Sequence, residues 1–208
     1  MYEIRFSDQV CGLESRDDGA EYLTGHAAVF YREGEQRTEF PMWEGTTERI
    51  KPSAFDRLRS DDYDLTGDFN HDPTYILGRR SAGTMTITVD DVGLHYSIRM
   101  ASNPIHQFVR DAVQRGDVSG ASFVFKNASP ARWEADGAMS RRWLTDVHVK
   151  SLGPVVNPAY LATSAGMRSL DEARREYDKW SGRADHDECE HDRVSVLASL
   201  ASLPSAAL

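Results

Sequence analysis

The sequence predicts a β-rich α+β fold, and three observations carry that reading. Residues 83 to 100 alternate apolar and polar side chains around a turn, residues 103 to 116 form one capped amphipathic helix, and strand-like runs follow at 120–125 and 142–150. In the first, Met85, Ile87 and Val89 alternate with threonines, Asp90-Asp91-Val92-Gly93 supplies turn chemistry, and Leu94, Tyr96, Ile98 and Met100 alternate with polar residues. That is a hairpin with one buried face. In the helix, Asn103 is the N-cap, Pro104 takes the first position, and Ile105, Phe108, Val109, Ala112 and Val113 recur at helical spacing until Gly116. In the last strand, Trp143, Thr145, Val147 and Val149 share one face, and Leu144, Asp146, His148 and Lys150 share the other.

The remaining elements are fainter. Residues 22 to 30 read as a strand in which Gly25 marks a bulge or a close backbone approach. Tyr31 to Arg49, charged and holding Gly34, Pro41 and Gly45, reads as a long excursion outside the core, and a helix is expected near 53 to 60. Asn127 to Ser140 is a polar, hairpin-like segment. Beyond Tyr160 the character changes: Ser169-Leu170-Asp171-Glu172 is a capping box opening a charged helix to about Trp180. Asp185 to Asp192 is an acidic linker, and Val196, Leu197, Leu200 and Leu203 suit a short apolar helix. The expected organisation is a body over 1–165 and a tail over 166–208.

Composition narrows the function. The chain has 208 residues, with 24 Lys+Arg against 33 Asp+Glu, a net charge of −9. That supports one sizeable core, and the negative charge disfavours nucleic acid as a partner. No apolar run approaches the ~20 residues of a membrane span, and the first residues lack the apolar stretch of a signal peptide, so no membrane association and a cytosolic start are expected. Cys11 and Cys189, far apart and outside any C-x-x-C pattern, read as reduced thiols.

Three places combine reactive side chains with turn or strand signals. Asn70-His71-Asp72-Pro73 is a polar knot; alone, a histidine among turn formers reads as a surface residue. Gly120-Ala121-Ser122-Phe123 places a hydroxyl after two small residues, although Ser122 alone reads as an ordinary strand serine, without the second glycine of a nucleophile elbow. Asp146 and His148 share a strand face, where a salt bridge is the plain alternative. Together, His71, Ser122 and Asp146 are the types that serine acyl transfer needs: nucleophile, base, and a group that orients the base. Cys11 lacks a base or positive charge beside it in sequence. The His-containing acidic run 185–192 has metal-ligand types but reads first as a solvated linker, so neither metal nor cofactor is expected.

These segments resemble a family, the prohead (capsid maturation) proteases of tailed bacteriophages, whose fold is similar to that of herpesvirus assemblin proteases. The resemblance runs from about residue 22 to 165. It is carried in order by Gly25-His26-Ala27-Ala28-Val29-Phe30, Glu48-Arg49-Ile50-Lys51-Pro52-Ser53-Ala54-Phe55, Asn70-His71-Asp72-Pro73 with Leu77-Gly78-Arg79, and Gly83-Thr84. Asp91-Val92-Gly93-Leu94, Gly120-Ala121-Ser122-Phe123-Val124-Phe125, and Pro154-Val155-Val156-Asn157-Pro158-Ala159-Tyr160 complete it. Val124 stands where the family often has Gly, and Gly153 where it has Ser.

The resemblance implies a closed or partly closed β-barrel surrounded by helices, with His71 as base and Ser122 as nucleophile. It places the third member at Asp146, with His148 as the alternative because the herpesvirus relatives use a second histidine, and it suggests the Leu152 and Gly153 amides as oxyanion donors. It further implies a major capsid or scaffold protein as substrate, self-processing between about residues 165 and 200, location in the host cytoplasm inside the procapsid, and a homodimer as in the viral relatives. The competing class is a non-catalytic capsid-assembly or scaffold component with the same β body, in which His71 and Ser122 lie far apart.

Overall fold

Alternation that buries apolar residues identifies strands in sequence, yet some strands of this chain bury charge as well. In the computed structural model, which describes residues 2–7, 11–35, 37–60, 62–156 and 164–182 (164–169 for backbone only), β1 (Glu3–Ser7) turns Glu3, Arg5 and Ser7 inward. Then come β2 (Gly12–Ser15), β3 (Glu21–Val29), β4 (Glu39–Trp43) and β5 (Thr46–Ile50), with Thr46, Glu48 and Ile50 of β5 inward. The expected excursion over 31–49 therefore contains two strands.

A 3₁₀ helix covers Pro52–Arg59, followed by β6 (Thr66–Asp68), β7 (Ile76–Arg79), and the hairpin β8 (Met85–Val89) and β9 (Gly93–Arg99). Helix α1 (Pro104–Arg115) is capped as its sequence demands. The Asn103 side chain accepts from the His106 amide at 2.9 Å, and Gly116 ends the helix in the left-handed region. Val109 and Ala112 are buried and Phe108 is exposed, with His106 taking an inward place.

The expected strand over 142–150 is two strands. After β10 (Gly120–Asn127) and β11 (Arg132–Asp136), β12 (Met139–Leu144) ends before Thr145, and β13 (Val147–Val155) begins in a different sheet. Helix α2 (Ser164–Trp180) starts upstream of Ser169, so the capping box lies inside it.

The described strands form three sheets, ordered β1-β10-β13-β6-β7, β11-β12-β5-β4 and β2-β3-β9-β8. Among the described residues no closed barrel is found, which corrects the barrel expectation: each sheet ends in its own edge strands, β1 and β7, β11 and β4, β2 and β8. Gly25 is a close approach, since a Cβ there would meet Cys11 Cβ and the Tyr96 hydroxyl at 3.2 Å, while the irregularity in β3 falls at Ala27. Phe55, Phe123 and Phe125 centre a core that also takes in Leu23, Tyr96 and Ile98.

Four fully buried charges fasten β1 to the second sheet. Arg5 binds Glu48 through Nε and, at 2.9 Å, through Nη2, and it reaches Glu3 at 2.7 Å. Arg142 on β12 binds Glu3 at 2.7 and 2.9 Å and Glu48 at 2.6 Å. Two guanidiniums against two carboxylates leave no net charge, which is what makes burial tolerable. Burial alone pushes the Glu48 carboxyl up, but Arg5 and Arg142 outweigh it and hold it below its ordinary value.

By internal contacts the chain divides into Met1–Leu170 and Asp171–Leu208, a boundary that falls within α2. In the second unit Arg174 and Asp178 pair one helical turn apart at 3.7 Å, and the Tyr177 and Trp180 rings lie 5.8 Å apart. The acidic run 185–192 and the apolar segment 196–203 lie outside the described residues.

Candidate active site

His71 occupies a turn that the sequence favours and the sheet enforces. Phe69 N–H donates to Tyr75 O, Asp72 N–H to Phe69 O, and the Asp72 carboxylate accepts from the Thr74 hydroxyl and amide, which hold it below its ordinary value. Asn70 and His71 both adopt left-handed backbone, φ 55° and 58°. Asparagine and histidine both adopt this region more readily than most residues, and any non-glycine residue there costs on the order of 1–3 kcal/mol, kept where the surroundings over-determine it. Here those surroundings are β13 and its exit: Asn70 N–H donates to Pro154 O at 3.1 Å, and Val156 N–H donates to Asn70 Oδ1 at 3.0 Å.

Ser122 comes from the neighbouring strand. In β10, Ala121, Phe123 and Phe125 point into the core, so Ser122 and Val124 point the other way, opposite Gly153 and Ser151 of β13. The two elements bring Ser122 Oγ to 2.7 Å from His71 Nε2. Oγ also lies 2.8 Å from the backbone oxygen of Arg5, and Ser122 is 0% exposed. A hydroxyl has one hydrogen. Directed at Arg5, it leaves Nε2 to donate to Oγ; directed at Nε2, it requires that nitrogen bare and the ring hydrogen on Nδ1.

At Nδ1 the structure places Asp68 Oδ1 at 3.3 Å and Ser151 Oγ at 3.4 Å. Asp68 ends β6, three residues before His71. A backbone irregularity between Gly67 and Asp68, and the approach of Gly153, where a Cβ would lie 2.0 Å from Asp68 O, fix its position. Ser151 reaches this face because β13 shifts register beside Val124 and Phe125, so that Val149 and Leu152 both face the core.

The expected third members lie elsewhere. Asp146 is gripped by Arg57, at 2.6 Å from Nε and 2.9 Å from Nη2, and accepts from the Ser129 hydroxyl at 3.1 Å. Its hydrogen bonds from Arg57 hold its carboxyl below the usual range. His148 does share the Ser122 face, but it pairs opposite Lys126, four residues along β10, about 13 Å at strand rise. The resemblance assigns Asp146 as third member; the face it is expected to share with His148 assumes an unbroken strand, and the chain changes sheets at Thr145–Asp146. Leu152 and Gly153, the suggested oxyanion donors, lie within β13 opposite Phe123 and Ser122, with β6 on the other side of the strand. Asp68, which the structure brings beside His71, is not singled out in the sequence reading; an aspartate three residues before a histidine in a tight turn is the signal that points to it.

Beside the His71 turn is an apolar recess of about 370 Å³ lined by Phe69, Tyr75, Pro104, Ile105 and Phe108. Cys11 lies in the core, where burial pushes its thiol up to about 11, so it carries no nucleophile at neutral pH. Among the described residues no cluster of three or more His, Cys, Asp or Glu side chains forms a metal cage, and no helix is long and apolar enough to cross a membrane.

A family model described as the caudovirus prohead serine protease matches residues 10–176, a span that includes Asp68, His71, Ser122 and Ser151 and leaves β1 outside. No curated protein and no solved structure matches the chain. With most of its length within that match, the chain belongs to the caudovirus prohead serine protease family.

Proposed function

We propose that this chain is a serine endopeptidase of phage head maturation in which Ser122 is the nucleophile and His71 the general base. The observation that supports it is the 2.7 Å separation of Ser122 Oγ and His71 Nε2 across 51 residues of sequence. Oγ attacks the scissile carbonyl carbon as its hydrogen passes to Nε2; the tetrahedral intermediate then expels the amine, which takes that hydrogen from the ring. Water repeats the sequence on the acyl-enzyme and regenerates Ser122. Proton transfer of this kind contributes roughly 10²- to 10⁴-fold. Attack requires the Ser122 hydrogen to leave the Arg5 carbonyl for Nε2.

The substrates are capsid or scaffold protein inside the procapsid, in the host cytoplasm, and the chain itself in its tail. On this reading the protease body spans 1–165, the tail spans 166–208, and two copies associate. The recess formed by Phe69, Tyr75 and Phe108 receives an apolar substrate side chain, since Phe69 and Tyr75 bracket the turn that carries His71.

A second reading is a shell or scaffold component in which the hydroxyl only ties β10 to β1; full burial of Ser122 favours it, and the 2.7 Å approach of His71 goes against it, since that class expects the two residues far apart. Incubating the chain with its cognate capsid and scaffold proteins, and following products and its own mass, separates the two. The protease reading expects cleavage that Ser122→Ala abolishes. Equal cleavage by that variant, or none by the natural chain, sinks it.

A further inference from the structure

We infer that Asp68, rather than Asp146, is the residue that positions His71, holding its ring in the tautomer that leaves Nε2 free to accept the Ser122 hydrogen. The inference rests on the protease reading above and adds to it the third member of the constellation.

Three observations carry it. Asp68 Oδ1 lies 3.3 Å from Nδ1, and its side chain is 4% exposed, so that water does little to compete with the ring. Among the described residues Oδ1 has no hydrogen-bond donor, an unusual state for a buried carboxylate oxygen. The polar atom that the structure places beside Oδ1 is the ring nitrogen Nδ1. The approach is not aligned as a hydrogen bond, and catalytic contacts of this kind tighten when substrate arrives.

The second neighbour of Nδ1, the Ser151 hydroxyl at 3.4 Å, does not select a tautomer. A hydroxyl both donates and accepts, so it satisfies Nδ1 with or without a ring hydrogen, whereas an ionised carboxylate only accepts and demands Nδ1–H. Once Nδ1 bears the hydrogen, the neutral ring has its lone pair at Nε2, facing Oγ. Asp146 has its own partners in Arg57 and Ser129 and is not needed for this.

Position supports the same role. Asp68 is locked by Gly153, whose absent side chain admits the Asp68 backbone, and by Gly67, where a Cβ would lie 2.7 Å from Ile98 Cδ1. The carboxylate and the imidazole therefore travel together on one short segment braced by β13.

The test uses the full chain with two readouts. One is the rate at which a fluorophosphonate probe labels Ser122. The other is the His71 tautomer from ¹⁵N NMR, its resonances identified by their loss in His71→Gln. Asp68→Asn, the same size and able to donate, is expected to slow labelling by about 10³- to 10⁴-fold, the scale of a carboxylate that fixes a catalytic tautomer, and to move the ring hydrogen from Nδ1 to Nε2. Ser151→Ala is expected to stay within about tenfold, on the view that a hydroxyl selects no tautomer, and to keep the hydrogen on Nδ1. A purely structural contribution by Asp68 would lower labelling without moving the tautomer, and so overturns the inference, as does a larger loss in Ser151→Ala. If Asp68→Asn does not fold, Asp68→Ala replaces it with the same readouts. Failure of the natural chain to label through Ser122 counts against the protease reading, and the tautomer still decides the case of Asp68.

Discussion

The Arg5 carbonyl oxygen and the His71 ring nitrogen Nε2 flank the Ser122 hydroxyl, at 2.8 Å and 2.7 Å from its oxygen. On the protease reading proposed above, the Ser122 hydroxyl is thus held between a strand that quiets it and a base that activates it. Arg5 keeps its place through the buried charges it shares with Glu3, Glu48 and Arg142.

Asp146→Asn and His148→Ala are predicted to leave peptide cleavage within a few-fold of the natural chain. Asp146 serves a partly exposed pair with Arg57, and such pairs contribute about 0–1 kcal/mol. Steady-state kinetics beside urea titration checks both numbers; a loss above a hundredfold for either variant would restore it as the third member.

Arg142→Met is predicted to destabilise the fold by about 3–5 kcal/mol, because it leaves two buried carboxylates facing one guanidinium. The urea midpoint measures it. A change below about 1 kcal/mol would mean that water reaches Glu3 and Glu48 when the guanidinium is gone.

Acid should unfold the chain by a predictable route. Glu48 is held below its ordinary value when folded, so its contribution is complete above the unfolded value of about 4.3 and disappears as pH falls through the lower folded value. Asp64, held at about 2 by hydrogen bonds from Arg79 and the Ser81 amide, acts in the same direction. Urea midpoints are expected to fall between about pH 4 and pH 2. Constant midpoints across that range would contradict the assigned charge states.

Phe108→Ala is predicted to raise KM for a peptide spanning a mapped cleavage site by about tenfold, the scale of losing an apolar contact in a substrate pocket. Since Phe108 is 56% exposed, stability should change little. An unchanged KM would show that the recess takes no part in substrate binding.

What could be read from the sequence follows from which strands obey apolar alternation. The hairpin β8–β9 and the helix α1 with its Asn103 and Gly116 caps do, and both are where the pattern places them. Strands β1 and β5 were hidden because their inward positions carry Glu3, Arg5 and Glu48, charges that are buried only because the fold brings them to one another and to Arg142. His71 and Ser122 were legible as types in a motif order. Which side chains meet the Nδ1 face of His71 was not, because that depends on irregular steps at Gly67–Asp68 and in β13, and neither leaves a mark in residue spacing.

The contact between residues 5 and 122 spans 117 positions of the chain. A polypeptide emerging from the ribosome holds Glu3–Ser7 without its strand partner until residues 121–125 have been made, and such distant pairings form slowly. The environment of the hydroxyl is consequently incomplete until that pairing forms, and on the protease reading a partly synthesised copy has no organised cutting centre with which to attack its neighbours.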